Sequence, residues 1–414
     1  MTLDSLRHQR GVALLVVLTL LSLIGLSLLV GRLSAGQFQL AREERAAVAM
    51  AQAREGLIGD AISRLPLGDA GYLRLPDLGS SAGAPTEGQA SLTFSGDGKD
   101  LTVIGKFPWK TLDTGALRDR QGECLWYVLS GRFKNDTDAL KTDVFNWDTQ
   151  GQVDIITASG DILATNLVAL IVAPGSALDG QSRTPGHANY IECGGNYDVR
   201  NYLDAFDNAY AIAGQINYFS GGTNNRVATN TDNKQFVMAD TDHYNDRFLF
   251  VKADDIFNPL IRRRDFSGAI ASLLDDPVFR NHLKTVVLAG NKGTGKLDCH
   301  CNNLGCTALP GDTFQGFCEN WKEMLFLTQL PVPEKIIIDG APSLLDCQRV
   351  LIFAGRKAAG QSRSTPDDKT NKVNYLESPN VSSFAAPTAS ANNFAGASAF
   401  DWRTPSTDLV RCLP

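Results

Sequence analysis

The sequence predicts an α+β protein: one long N-terminal helix, then a large mixed, β-rich domain with an internal duplication. Three observations carry this. Residues 12–30 form a run of nineteen uncharged, mostly aliphatic residues. Beyond Pro66 the texture changes to short apolar stretches separated by Gly, Asp and Ser, which is how strands and turns read. One phrase then occurs twice, about 180 residues apart, too long a period for a solenoid and right for a duplicated unit.

The helix comes first. At about 1.5 Å per residue the run Val12–Val30 spans roughly 28 Å, close to the hydrocarbon thickness of a bilayer, so a membrane span is expected. From Arg32 to Leu65 there is no Pro, and Ala, Arg, Glu, Gln and Leu dominate; all are strong helix formers. Ala46, Ala47, Val48, Ala49, Ala51, Ala53, Leu57, Ile58 and Ile62 supply an apolar side for the domain that follows. Pro66 stops the rod, which from Val12 to Leu65 is about 80 Å long.

A basic leader, Arg7-His8-Gln9-Arg10-Gly11, precedes the apolar run. A secretory signal peptide has a shorter apolar region and a small-residue cut site after it. Leu33-Ser34-Ala35-Gly36 is only a faint version of such a site, and Gln37 stands where a lipoprotein needs cysteine. The wording Gln9-Arg10-Gly11-Val12-Ala13-Leu14-Leu15-Val16 resembles the class III signal of type IV pilins and type II secretion pseudopilins. That resemblance covers the leader and the helix. It implies a prepilin cleavage between Gly11 and Val12, on the cytoplasmic side, with the helix kept in the mature chain. The implied organisation is a leader at 1–11, a transmembrane and amphipathic pilin helix at 12–65, and an extracytoplasmic α+β domain at 66–414. Major pilins carry Glu as the fifth mature residue; here Val16 stands in that place, which favours a minor-pilin or filament-tip role.

The function expected from this resemblance is a minor pilin or pseudopilin-like structural subunit, not an enzyme. It would sit in the inner membrane by a single pass, with a periplasmic domain. Its partners would be inner-membrane lipid, other pilin or pseudopilin subunits and the prepilin peptidase. The alternative is a membrane-anchored surface or adhesion protein that never enters a filament. Basic residues flank both ends of the run, Arg7 and Arg10 before it and Arg32, Arg42 and Arg45 after it, so the positive-inside rule does not set the orientation.

Composition bounds the rest. The chain has 414 residues, 43% hydrophobic and 20% charged, with a net charge of −6, ordinary globular material. Cutting after Gly11 removes one acid and two bases and makes it slightly more acidic. Phosphate binding needs a basic patch, and no Lys/Arg-rich run exists, so nucleic acid is not an expected partner.

Within the domain, strands are expected at 71–77, 90–94, 101–105 and 125–128, with Phe107, Trp109, Trp126 and Tyr127 as core anchors. Arg247–Val251 reads as a buried strand and Asp254 as the cap of a following helix. Asp265–Val286 has helical spacing, with Ile270, Leu273, Leu274, Phe279 and Leu283 on one side and a break at Pro277. Residues 382–399, dense in Ser, Ala and Asn, read as loop. The repeated segments lie near 170–192 and 350–377. Leu170-Ile171-Val172-Ala173-Pro174-Gly175 matches Val350-Leu351-Ile352-Phe353-Ala354-Gly355, and Gly180-Gln181-Ser182-Arg183 matches Gly360-Gln361-Ser362-Arg363. Asn189-Tyr190-Ile191-Glu192 is set against Asn374-Tyr375-Leu376-Glu377. Each Arg is expected to tie down its own loop with its planar multi-donor head. A tethered enzyme would instead bring Gln181, Arg183, Gln361 and Arg363 to one cleft.

The eight cysteines are Cys124, Cys193, Cys299, Cys301, Cys306, Cys318, Cys347 and Cys412. An even number in an exported chain predicts up to four disulfides of open connectivity. Cys299-His300-Cys301 lacks the usual zinc-knuckle spacing. Gly290–Lys296 approaches a phosphate loop, but Leu297 stands where Ser or Thr should hold magnesium. Oxygen ligands alternate along Asp240–Asp246 as in a calcium loop, yet the stretch reads as a solvated acidic turn. No metal or cofactor is expected, and the five histidines form no nucleophile–base arrangement.

Overall fold

The computed structural model describes residues 4–81, 84–92, 101–134, 144–204, 211–212, 215–220, 234–241, 243–288, 313–385 and 392–414. In the first helix, the side chains of residues 4–14, 25 and 27–36 fall outside that description. The protein is mixed α+β. Helix α1 (Asp4–Ser63) leads into the short hairpin β1 (Ser80–Ser81) and β2 (Ala84–Pro85), then β3 (Leu101–Lys106), β4 (Trp126–Leu129), β5 (Val153–Ile156), β6 (Ile162–Leu167) and β7 (Ala169–Ala173). After β8 (Ala211–Ile212), β9 (Gln215–Ser220), β10 (Lys234–Val237) and β11 (Arg247–Val251) come four helices. These are α2 (Ala253–Leu260), α3 (Arg264–Asp275), α4 (Pro277–Thr285) and α5 (Thr313–Trp321). The last part holds β12 (Leu325–Glu334), β13 (Ile337–Ile338), β14 (Ala341–Pro342), β15 (Cys347–Phe353), α6 (Pro366–Thr370), α7 (Asn380–Ala385), β16 (Asn393–Phe394) and β17 (Leu409–Leu413).

The largest described sheet has the order β11-β7-β4-β3-β9-β8 and is antiparallel throughout. A second antiparallel sheet has the order β12-β15-β17. Both contain one motif. In the first copy Val128 pairs with Leu170, and Leu170 with Phe250. In the second copy Thr328 pairs with Val350, and Val350 with Cys412. With Leu170 set on Val350, as the repeated phrase sets it, β4, β7 and β11 superpose in register on β12, β15 and β17. The duplication is therefore one of pairing as well as of wording.

Both faces of β4 are covered, as alternating side chains require. Tyr127 and Leu129 point into the main core with Leu57 of α1 and Phe257 of α2. Trp126 and Val128 point into a second cluster with Val153, Ile155 and Tyr202. The outer half of α1 joins the main core by a stripe, Ala46, Met50, Ala53, Leu57 and Ala61, at the three- and four-residue spacing of one helix face. The alanines let the rod lie close to β7 and β11. Leu57 adds roughly 2 kcal/mol by leaving water. Arg54 fixes the contact, donating to the Phe250 carbonyl (3.1 Å) and pairing with Asp255 (2.8 Å).

Some expected elements differ. α1 ends at Ser63, two residues short of Leu65. Residues 71–77 make only single bridges, Leu73 to Lys134 and Asp77 to Lys106, because Pro76 lacks a ladder donor. Residues 90–92 are irregular and 93–94 lie outside the described residues. Arg247–Val251 is a strand, but only Val251 is fully buried, since the strand stands at the sheet edge. Asp254 is not the cap of α2; Lys252 precedes the helix and donates its N–H to the Asp255 carboxylate (2.8 Å). Within 382–399, part of α7 and β16 are regular, held by Phe384 against Phe326. The break at Pro277 stands as expected, with Asp276 capping α4 through the N–H of Phe279 (2.8 Å).

Candidate functional site

Two features qualify: the long helix, and the duplicated loops at the ends of β7 and β15. Gly11 and Val12 both lie inside α1, with side chains outside the described residues. Further along, Leu15, Leu21 and Leu26 are 64%, 62% and 60% exposed, so these three side chains face the surroundings. Among the described residues no helix is long and apolar enough to cross a membrane; the apolar run itself falls partly on residues 12–14, 25 and 27–30, whose side chains are not described. Where α1 meets β11 an open groove of about 470 Å³ runs between Glu43, Ala46 and Met50 on one side and Phe248 and Leu249 on the other.

The duplicated loops share one bonding plan. Arg183 Nε donates to the Asn201 carbonyl (3.0 Å) and its Nη1 to the Gly175 carbonyl (2.8 Å). Arg363 Nε donates to the Asn374 carbonyl (2.6 Å) and its Nη1 to the Gly355 carbonyl (3.1 Å). Gln181 Oε1 accepts from Leu178 N (2.9 Å), and Gln361 Oε1 from Ala358 N (2.8 Å). Each guanidinium lies over a tyrosine ring, Tyr202 at 4.8 Å and Tyr375 at 4.2 Å. Arg183 then pairs with Glu123 (3.4 Å) and Arg363 with Asp148 (2.9 Å). The two glycines are equally required. A Cβ on Gly175 would stand 2.5 Å from Asn245 Oδ1, and one on Gly355 only 2.2 Å from the Ser406 carbonyl.

This corrects one alignment. The structural partner of Asn374-Tyr375-Leu376-Glu377 is Asn201-Tyr202-Leu203-Asp204, not Asn189-Tyr190-Ile191-Glu192. The signal was present as an identical Asn-Tyr-Leu, hidden because the first copy has a longer loop before it. The four Gln and Arg side chains do not converge: the Gln181–Arg183 pair shares no hydrogen-bond partner with the Gln361–Arg363 pair, and Arg363 instead reaches Asp148 between β4 and β5.

The extra loop length in the first copy makes a strap, residues 186–197. Glu87 accepts from the N–H groups of Glu192 (2.9 Å), Cys193 (2.6 Å) and Gly194 (3.2 Å). Lys106 Nζ donates to the Gly194 carbonyl (2.7 Å) and Tyr197 to Asp77 (2.6 Å). Burial pushes the Asp77 carboxyl up to about 6, against hydrogen bonds from Tyr197, Gly79 and Gly88. Burial likewise lowers Lys106 to about 8. Such shifts can mark an active site, but Asp77 and Lys106 are 1% and 2% exposed. The cluster is sealed by the strap it anchors.

Cys124 and Cys193 are disulfide-bonded, as are Cys347 and Cys412. Cys318 is also disulfide-bonded. Cys299, Cys301 and Cys306 lie outside the described residues, as does the Gly290–Lys296 stretch. In the acidic turn, Thr241 pairs with Tyr244, Asp240 binds Arg247 (2.7 Å), and Asp246 is buried. The turn is thus solvated at one end only. No family model matches the chain, and neither a curated protein nor a solved structure is similar to it.

Proposed function

We propose that the chain is a minor pilin or pseudopilin-like structural subunit of a type IV pilus or type II secretion filament. The observation that carries this reading is α1. One unbroken rod has its outer half built into the core of the domain, while its leading half presents exposed leucines to the surroundings. Such a surface is stable in lipid, and later among similar rods, where packing replaces the hydrophobic drive. The helix anchors the subunit in the inner membrane, the periplasmic domain supplies surface at a filament tip or side, and Val16 in place of an acid suits a low-abundance position. Disulfides on both copies of the motif fit an oxidising compartment. The reading assigns no catalysis to the domain.

Mass spectrometry of the protein recovered from cells containing a prepilin peptidase tests this. The expected N-terminus is Val12, N-methylated. An N-terminus still at Met1 supports the permanently anchored surface or adhesion protein instead, and the filament reading then fails.

A further inference from the structure

Trp402 is the most exposed of the five tryptophans, at 39%. Its loop is not free to fold it away. On one side Phe400 is buried against Phe266 of α3 and Trp147. On the other, Arg356 N donates to the Pro405 carbonyl (2.7 Å), and the Ser406 backbone packs on Gly355 too closely to admit a Cβ there. Within the loop, Arg403 N donates to Asp401 Oδ1 (2.9 Å) and Thr404 N to the Asp401 carbonyl (3.0 Å). The indole is therefore held outward by a fixed frame. A lone exposed apolar side chain is ordinary, but this one carries two cations.

Both guanidiniums lie over the Trp402 ring. The Cζ of Arg262, at the corner between α2 and α3, is 5.1 Å from the ring centroid, and that of Arg403 is 4.7 Å from it. Among the described residues Arg262 has no acidic partner, and neither has the exposed Arg264; Arg263 between them is taken by Asp265. Arg403 meets Asp401 at 3.5 Å with both side chains open to water, a contact worth little. In a chain of net charge −6 this corner is a local excess of positive charge.

We infer that Arg262, Trp402 and Arg403 form a docking site for an acidic segment of another protein, one that presents Asp or Glu carboxylates. Tryptophan and arginine are the residue types that concentrate binding energy at protein interfaces. A guanidinium fork takes a carboxylate through two parallel hydrogen bonds, and holding both forks on one ring lowers the ordering cost of binding. A carboxylate placed between them also relieves the repulsion of two like charges. Other occupants fit less well. A nucleobase or sugar ring needs a bare aromatic face to stack on, and here guanidiniums already lie over it. A twofold contact between copies of this chain would set the arginines against themselves. The site stands whether or not α1 enters a filament.

The test is fluorescence anisotropy of labelled poly-L-glutamate titrated with the full-length protein in detergent at low salt. The negative net charge of the protein works against unspecific capture of this probe. The wild type should bind, and Arg262→Gln/Arg403→Gln should weaken binding by about tenfold or more with its melting midpoint unchanged, because both side chains are exposed. Arg403→Lys should weaken it too, since it keeps the charge and loses the fork. Arg200→Gln, which removes an exposed arginine elsewhere, should change binding by less than about twofold. No binding by the wild type, or undiminished binding by the double variant, overturns the inference. An equal loss in Arg200→Gln does the same, because net charge alone would then explain the effect. So does polygalacturonate binding as tightly as poly-L-glutamate through the same residues, which would assign the site to a polysaccharide.

Discussion

Arg363 shows how single residues hold this domain. It is 2% exposed, yet its donors meet Asp148, the Gly355 and Asn374 carbonyls and Gln361, the full engagement a buried guanidinium requires. Burial raises the Asp148 carboxyl, and Arg363 opposes that shift. Glu377 sets a pH dependence. Its carboxyl titrates near 4.5 when unfolded and near 7 in the fold, from burial first and then from Asp408. The folded state therefore holds more protons, so this contribution is complete below pH 4.5 and is lost as pH rises through 7. Allowing for its partial exposure, about 1–2 kcal/mol should disappear between pH 5 and 8. Urea unfolding at those two pH values should show a smaller loss in Glu377→Gln than in the wild type. Equal losses would remove Glu377 from the account.

At the scale of elements, α1 has two environments along one rod. Behind Ala46 its stripe is fixed by packing; ahead of it Leu15, Leu21 and Leu26 are exposed. On the proposed reading, Leu21→Asp should cost a few kcal/mol in the bilayer and abolish membrane retention or filament assembly, scored by cell fractionation and filament preparations. Normal assembly of that variant would count against the role given to α1. The helices that end where expected do so for local reasons, such as Pro277 with the Asp276 cap. Those that shift, such as α2, follow a hydrogen bond from Lys252 to Asp255 that propensity alone does not reveal.

For the whole molecule, one core runs from Met50 in α1 to Leu413 in β17, and the Cys347–Cys412 bridge closes 65 residues of it. In the chain-entropy description a loop of that length is worth about 4 kcal/mol. Cys347→Ser/Cys412→Ser should lose stability on that order in urea, and a change under about 1 kcal/mol would mean the unfolded chain is already compact there.

Local chemistry was enough for the apolar run, the helix formers up to Pro66, the Pro277 break and the Gln-Ser-Arg repeat, because each depends on residues close together in the chain. The long-range matters were decided in three dimensions. Which Asn-Tyr phrase answers which depended on a loop of unequal length. Cys124 found Cys193, and Cys347 found Cys412, through strand pairing that no spacing specifies. The Asp240–Asp246 turn read as uniformly solvated, but Asp246 is buried because β11 must lie beside β7, and its position against Asp204 follows from that pairing alone.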